Sequence, residues 1–217
     1  MTIVSALLSF SVVAALLTIT PGLDTALVLR ASLVQTRRLA IATSAGIITG
    51  AFVWGVAASV GLAALLAASE IAFLVLRIIG ATYMVWLGGK LIVTRVLKRH
   101  VPSELGTVDA TPVAPLPQGW WGAWSKGLLT NLLNPKVGAF YIAVLPGFIP
   151  AGTNELVMGV LLAGVHGALT AVWFTIIIVG ASSVRHWLAR DAVHRTIDAV
   201  TGAALIAFGV RLAFVAK

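Results

Sequence analysis

Three long stretches of this chain carry no Asp, Glu, Lys or Arg: Met1 to Leu23, Leu39 to Ser69 and Leu156 to Val184. A helix rising about 1.5 Å per residue needs roughly 20 mostly apolar residues to cross a hydrocarbon layer about 30 Å thick, and each stretch supplies them. Three further runs hold few charges: Ile71 to Gly89 around Arg77, Gly127 to Asn154 around Lys136, and Ala199 to Val210. Backbone amides have no water partners in hydrocarbon, so such segments fold as helices. Strands of a membrane barrel would be shorter and would alternate apolar with polar residues, which these do not. With 59% hydrophobic and 10% charged residues, and a mean hydropathy of +1.03, the chain has more apolar surface than a soluble core could hide. The sequence predicts an all-α membrane protein with six transmembrane helices and the lipid bilayer as its surroundings.

The formal net charge of +8 has a topological explanation. Arg30, Arg37 and Arg38 lie between the first and second runs; Arg95, Lys98 and Arg99 follow the third; Arg185, Arg190 and Arg195 separate the fifth from the sixth. The alternate loops hold Glu70 and Glu155. Cytoplasmic loops are enriched in Lys and Arg, so this pattern predicts basic loops inside, both termini outside and no nucleic-acid partner. Arg211 and Lys217, at the outer end, run against it. The first run lacks a leading Lys or Arg and continues into Pro21, Gly22 and Asp24, so it reads as a retained span and not a cleaved signal. No cysteine is present, which excludes disulfides and thiolate chemistry. His100, His166, His186 and His194 fall at no metal-ligand spacing, and neither a metal nor a cofactor is predicted.

Residues 98–119 form the one long polar stretch, with Pro102, Pro112, Pro115 and Pro117, and read as a flexible cytoplasmic linker. They divide the chain into three-helix units of residues 1–97 and 120–217. The two units share features. Leu87-Gly88-Gly89-Lys90-Leu91 resembles Phe208-Gly209-Val210-Arg211-Leu212, and each follows a Gly-Ala pair, Gly80-Ala81 and Gly202-Ala203. Trp54 matches Trp173, and Pro21 matches Pro135. An odd number of spans per unit makes a duplication inverted in the membrane, the design of transporters whose substrate site lies at the repeat interface. The bland alternative is that apolar helices resemble one another by composition. Gly46 and Gly50 form a small-xxx-small pair suited to close helix packing, and Trp120, Trp121 and Trp124 read as an interfacial belt.

The chemistry sits in the polar residues that a bilayer penalises. Thr20-Pro21-Gly22-Leu23-Asp24 places a proline, a glycine and a carboxylate at the end of an apolar run, which predicts a broken helix. Broken helices expose carbonyls and amides that bind ligands or ions. Asp24 there could carry a proton or pair with a substrate ammonium, or simply cap the next helical turn. Asn131 and Asn134-Pro135-Lys136 repeat the device in the fourth run. A lysine inside a span costs about 2.5–3.5 kcal/mol on insertion scales, so Lys136 should face a cavity or partner, unless it snorkels to the interface. If Pro21 and Pro135 meet, Asp24 and Lys136 share a neighbourhood suited to an amino acid, which carries both charges. Arg77 either snorkels outward beside Glu70 or points inward to attract carboxylates. His166 could relay protons, though a lone membrane histidine is more often a hydrogen-bonded packing residue.

These motifs together resemble the LysE/RhtB family of bacterial amino-acid exporters. Thr20 to Thr25 is similar to the family's first-span signature, and Gly127 to Lys136 to its fourth-span motif, followed by a similar Leu145-Pro146-x-Phe148. Arg77 to Leu91 and Gly202 to Leu212 are similar to its third and last spans. Leu23 stands where the family has a second proline, which predicts a gentler break. The resemblance implies export of amino acids or close derivatives across the bacterial inner membrane by proton antiport. It carries a substrate-binding role onto Pro21, Gly22, Asp24, Asn134, Pro135 and Lys136, with Asp24 as the proton-coupling residue and Arg77 as a further substrate-binding candidate from the bottom-up reading. A homodimer is an admissible state of such a chain. An inorganic-ion exporter would need several convergent carboxylates, thiolates or imidazoles. A membrane enzyme would need a paired acid and base or an activated nucleophile. A purely structural subunit would leave two matching polar breaks without a purpose.

Overall fold

The computed structural model describes residues 2–93, 119–188 and 190–214, and among them there is helix and turn but no strand. In chain order the helices are α1 (Ile3–Ile19), α2 (Leu23–Val34), α3 (Arg37–Ala68), α4 (Glu70–Leu91), α5 (Trp120–Leu132), α6 (Pro135–Ala143), α7 (Glu155–Val179), α8 (Ala181–Leu188) and α9 (Asp191–Phe214). A short 3₁₀ segment, Leu145–Phe148, follows α6. The predicted linker, residues 98–119, lies outside the described residues except for Gly119.

Among the described residues, α7 and the Arg37–Ala64 part of α3 are each long and apolar enough to cross a membrane. The pair α1 and α2 makes a third such length if taken as one span bent by 55°. The fourth apolar run is not one continuous helix: it is divided between α5, α6 and the 3₁₀ segment. Each of those pieces is shorter than the roughly 20 residues needed to span hydrocarbon alone.

The first helix and the long α3 and α7 are apolar on both faces. In α1 the stripe Ala6, Phe10, Val13, Ala14 and Leu17 is buried, while Val4, Leu8 and Val12 on the other side are exposed. Such a helix belongs in a medium that is apolar on every side. The core gathers where α1 meets α6 and the 3₁₀ segment. The Phe10 ring packs 5.7 Å from that of Phe140 and 5.5 Å, edge-on, from that of Phe148, a geometry that suits the aromatic quadrupole. The close crossing expected of Gly46 and Gly50 is made by α3 against α5. A Cβ on Gly46 would run into the carbonyl of Trp124, and one on Gly50 would stand 2.7 Å from Oδ1 of Asn131. Gly50 therefore gives Asn131 its seat. Of the aromatic cluster, Trp121 is exposed, whereas Trp124 is partly buried and donates from Nε1 to the Thr49 hydroxyl at 3.3 Å.

Candidate functional site

The first break follows from the chemistry of proline. A residue preceding proline is pushed out of the helical region, and Thr20 is accordingly extended, with φ −62° and ψ 116°. α1 therefore stops at Ile19. Pro21 has no N–H, and in a continuous helix that N–H would bond the carbonyl of the residue four positions earlier. The carbonyl of Leu17 is left without its helical donor, and that of Thr20 loses its own because α2 starts afresh at Leu23. Gly22 caps α2 in an extended conformation, and Asp24 sits in its first turn. A carboxylate there is favoured by the positive end of the helix dipole. Leu23 occupies the first helical position, and the 55° bend forms without a second proline there.

The second break uses the same rule. Asn134, before Pro135, is extended with φ −77° and ψ 108°, and its Oδ1 accepts a 3.1 Å hydrogen bond from the Lys136 backbone N–H. This is an asparagine N-cap followed by proline at the first helical position, a combination that both ends α5 and starts α6.

The two breaks meet. The Lys136 ammonium donates to the carbonyl of Thr20 at 2.8 Å and to that of Leu17 at 3.1 Å, the two groups that Pro21 orphaned. Asn131, buried on α5, donates from Nδ2 to Oδ2 of Asp24 at 2.8 Å. Between them lies a cavity of about 40 Å³ bordered by Thr20, Gly22, Asp24, Asn131, Asn134, Lys136, His166 and Thr170. A water needs roughly 10–15 Å³, so the space is of the order of a few waters, and it widens if an amino acid is to enter.

Of the residues singled out in the sequence, Gly22, Asp24, Asn134 and Lys136 come together on this cavity, and Pro21 and Pro135 shape its walls. The Arg77 expectation falls on a side chain outside the described set. Asn131 and His166, noted in the sequence without a binding role assigned to them, also belong to the site, and Thr201 and Asp198, not singled out in the sequence, join them from α9. Asn131 holds Asp24. His166, 5% exposed, lines the cavity, with its Nδ1 2.9 Å from the buried Tyr141 hydroxyl. The Thr20 hydroxyl has one proton, which goes to the Leu16 carbonyl at 2.6 Å, so Thr201 of α9 is the donor in the 2.8 Å contact between the two threonines. Asp198, 4% exposed and one turn before Thr201, lay outside the last apolar run as drawn from the sequence. A buried acid three residues before a buried threonine was the available signal for that face of α9.

A family model described as LysE type translocator matches residues 15–215. The chain is 27% identical over 211 residues to an uncharacterized membrane protein of Bacillus subtilis, covering 94% of this chain and 97% of the relative. It is 25% identical over 210 residues to the leucine efflux protein of Klebsiella pneumoniae, covering 95% and 93%. It is 26% identical over 202 residues to the homoserine/homoserine lactone efflux protein of Salmonella typhimurium, covering 91% of each chain. No solved structure matches.

Proposed function

The chain belongs to the LysE type translocator family, and from that premise we propose that it exports amino acids or close derivatives from the cytoplasm in exchange for protons. As a member it is a membrane transporter of the amino-acid efflux kind, not an enzyme. The observation that carries the finer reading is the meeting of two broken helices, with Asp24 held by Asn131 and the Lys136 ammonium seated on the carbonyls of α1. One site thus offers an anion, a cation and backbone carbonyls released from the helical ladder beside a small space, the features that discontinuous helices supply in secondary transporters.

In this reading the chain has six spans, arranged as two inverted three-helix units, residues 1–97 and 120–217, joined by a cytoplasmic linker at 98–119. The basic loops face the cytoplasm of a bacterial inner membrane and both termini face outward. Asp24 carries the coupling proton and shares substrate binding with Pro21, Gly22, Asn134, Pro135 and Lys136. Arg77 attracts the substrate's carboxylate. The named cargoes of the relatives narrow the chemistry. Leucine, homoserine and homoserine lactone all present a primary ammonium. The lactone has no free carboxylate, so the ammonium is the handle they share.

Inside-out membrane vesicles test the reading. Labelled leucine and homoserine should accumulate in vesicles containing the protein when the lumen is acid, and a protonophore should abolish the accumulation. Uptake equal to that of vesicles lacking the protein would overturn the exporter reading. Uptake insensitive to the pH gradient would overturn only the proton coupling.

A further inference from the structure

The Lys136 ammonium does something specific: it fills a place that the backbone leaves vacant. Pro21 removes the N–H that would occupy the Leu17 carbonyl, and the restart of the chain at Gly22 removes the one for Thr20. Both carbonyls point from the C-terminal, negative end of α1, where a cation is favoured. The ammonium reaches both from 116 to 119 residues away in sequence. Beside it the wall carries no side chain at Gly22, where a Cβ would stand at an ordinary contact distance of 3.7 Å from Nζ. Gly22 and Lys136 both line the cavity of about 40 Å³, room into which a flexible lysine stem can move. A permanent cap on a broken helix would not call for that space.

We propose that the carbonyls of Leu17 and Thr20 form a binding site for a primary ammonium group, filled from within by Lys136 in this structure and taken by the ammonium of a ligand when Lys136 withdraws. The pair of carbonyls selects for N–H donors. A primary ammonium has three, aimed tetrahedrally, and a quaternary ammonium has none. The ligand is thus recognised by its amine, and the displaced Lys136 stands beside it to meet a carboxylate where the ligand has one. This rests on the exporter reading only for the identity of the natural ligand; the site itself is testable without transport.

Lys136→Met keeps an apolar stem of the same length as far as Cε, with sulfur in place of Cδ, and removes the charged nitrogen, so the ammonium ion is the matching probe. Lys136→Ala deletes three carbons as well, and n-propylammonium replaces what is lost. Purified full-length protein in detergent is titrated with each probe at constant ionic strength, with sodium and tetramethylammonium as controls, and binding is read from the rise in melting temperature. Each variant should bind its probe at least about tenfold more tightly than wild type, in which Lys136 competes for the site. The controls should have no such effect. The inference is overturned if the variants bind the probes no better than wild type does, or if sodium or tetramethylammonium serves equally well. If one variant does not fold, the other carries the same comparison. A variant that folds only with its probe present and not with the controls supports the site, and failure of both variants to fold with any of the ions overturns it. Binding without amino-acid flux would leave this site standing and remove the exporter reading, and flux without binding would do the reverse.

Discussion

Asp24→Asn is expected to abolish gradient-driven export while leaving the chain inserted and folded. The amide has the shape of the acid and retains an oxygen to accept the 2.8 Å hydrogen bond from Asn131. Its nitrogen adds a donor at the position of Oδ1, which is buried without a hydrogen-bond partner in the acid. The shape and the Asn131 hydrogen bond are kept, and exchanging a buried acid for a neutral amide offsets the cost of its unpaired N–H groups. What the amide cannot do is take up and release a proton, the service for which buried acids are retained in proton-coupled transporters. Uptake into acid-lumen vesicles should fall by about 100-fold or more, the range in which loss of a required proton-transfer group is felt. The melting temperature of the purified variant should stay within a few degrees of wild type. Normal gradient-driven flux in this variant would remove Asp24 from the coupling.

Gly46→Ala is expected to damage both stability and the site, although Gly46 does not itself line the cavity. The added methyl would run into the Trp124 carbonyl and stand 2.8 Å from the Leu128 amide nitrogen. These are backbone atoms of α5, which cannot swing aside as a side chain would, so the whole helix must move off α3. Overpacking of this kind costs typically about 1–3 kcal/mol. The displacement would also carry Asn131, two turns further along α5, away from Asp24. Gly61 is the control. It lies on the same helix with nothing within 4 Å of its built Cβ, and alanine there should be neutral or slightly favourable on helix propensity. Melting temperature and vesicle uptake should both fall for Gly46→Ala and neither for Gly61→Ala. Equal behaviour of the two variants would mean that the α3–α5 crossing is not as close as described.

Much of the site was legible because a bilayer makes polar residues conspicuous. Pro21 and Pro135 announce helix breaks by rules that act over four residues, and Asp24 and Lys136 stand out as charges within apolar runs. What stayed hidden depends on contacts between residues far apart in the chain. Nothing local to Lys136 reveals that its ammonium reaches the Leu17 and Thr20 carbonyls, or that Thr201 donates to Thr20 across 181 residues. His166 looked like a packing residue and is one, through Tyr141, yet it also borders the cavity. The interruption of the fourth apolar run is signalled by Asn134-Pro135, but its division into two short helices and a 3₁₀ segment is not. Leu133, at the C-cap of α5, and the Asn134 N-cap divide the run.

The meeting of the two breaks can be measured directly by pairing cysteines at positions 24 and 131, since the chain contains no other cysteine. With a protease site placed in residues 98–119, native membranes are treated with a short bifunctional methanethiosulfonate that arrives through water, then cut. The expected result is that the two halves migrate as one species until a reductant separates them. Halves that part without reductant, with the thiols unreacted or each capped singly, would contradict a shared, water-reachable chamber between the broken helices.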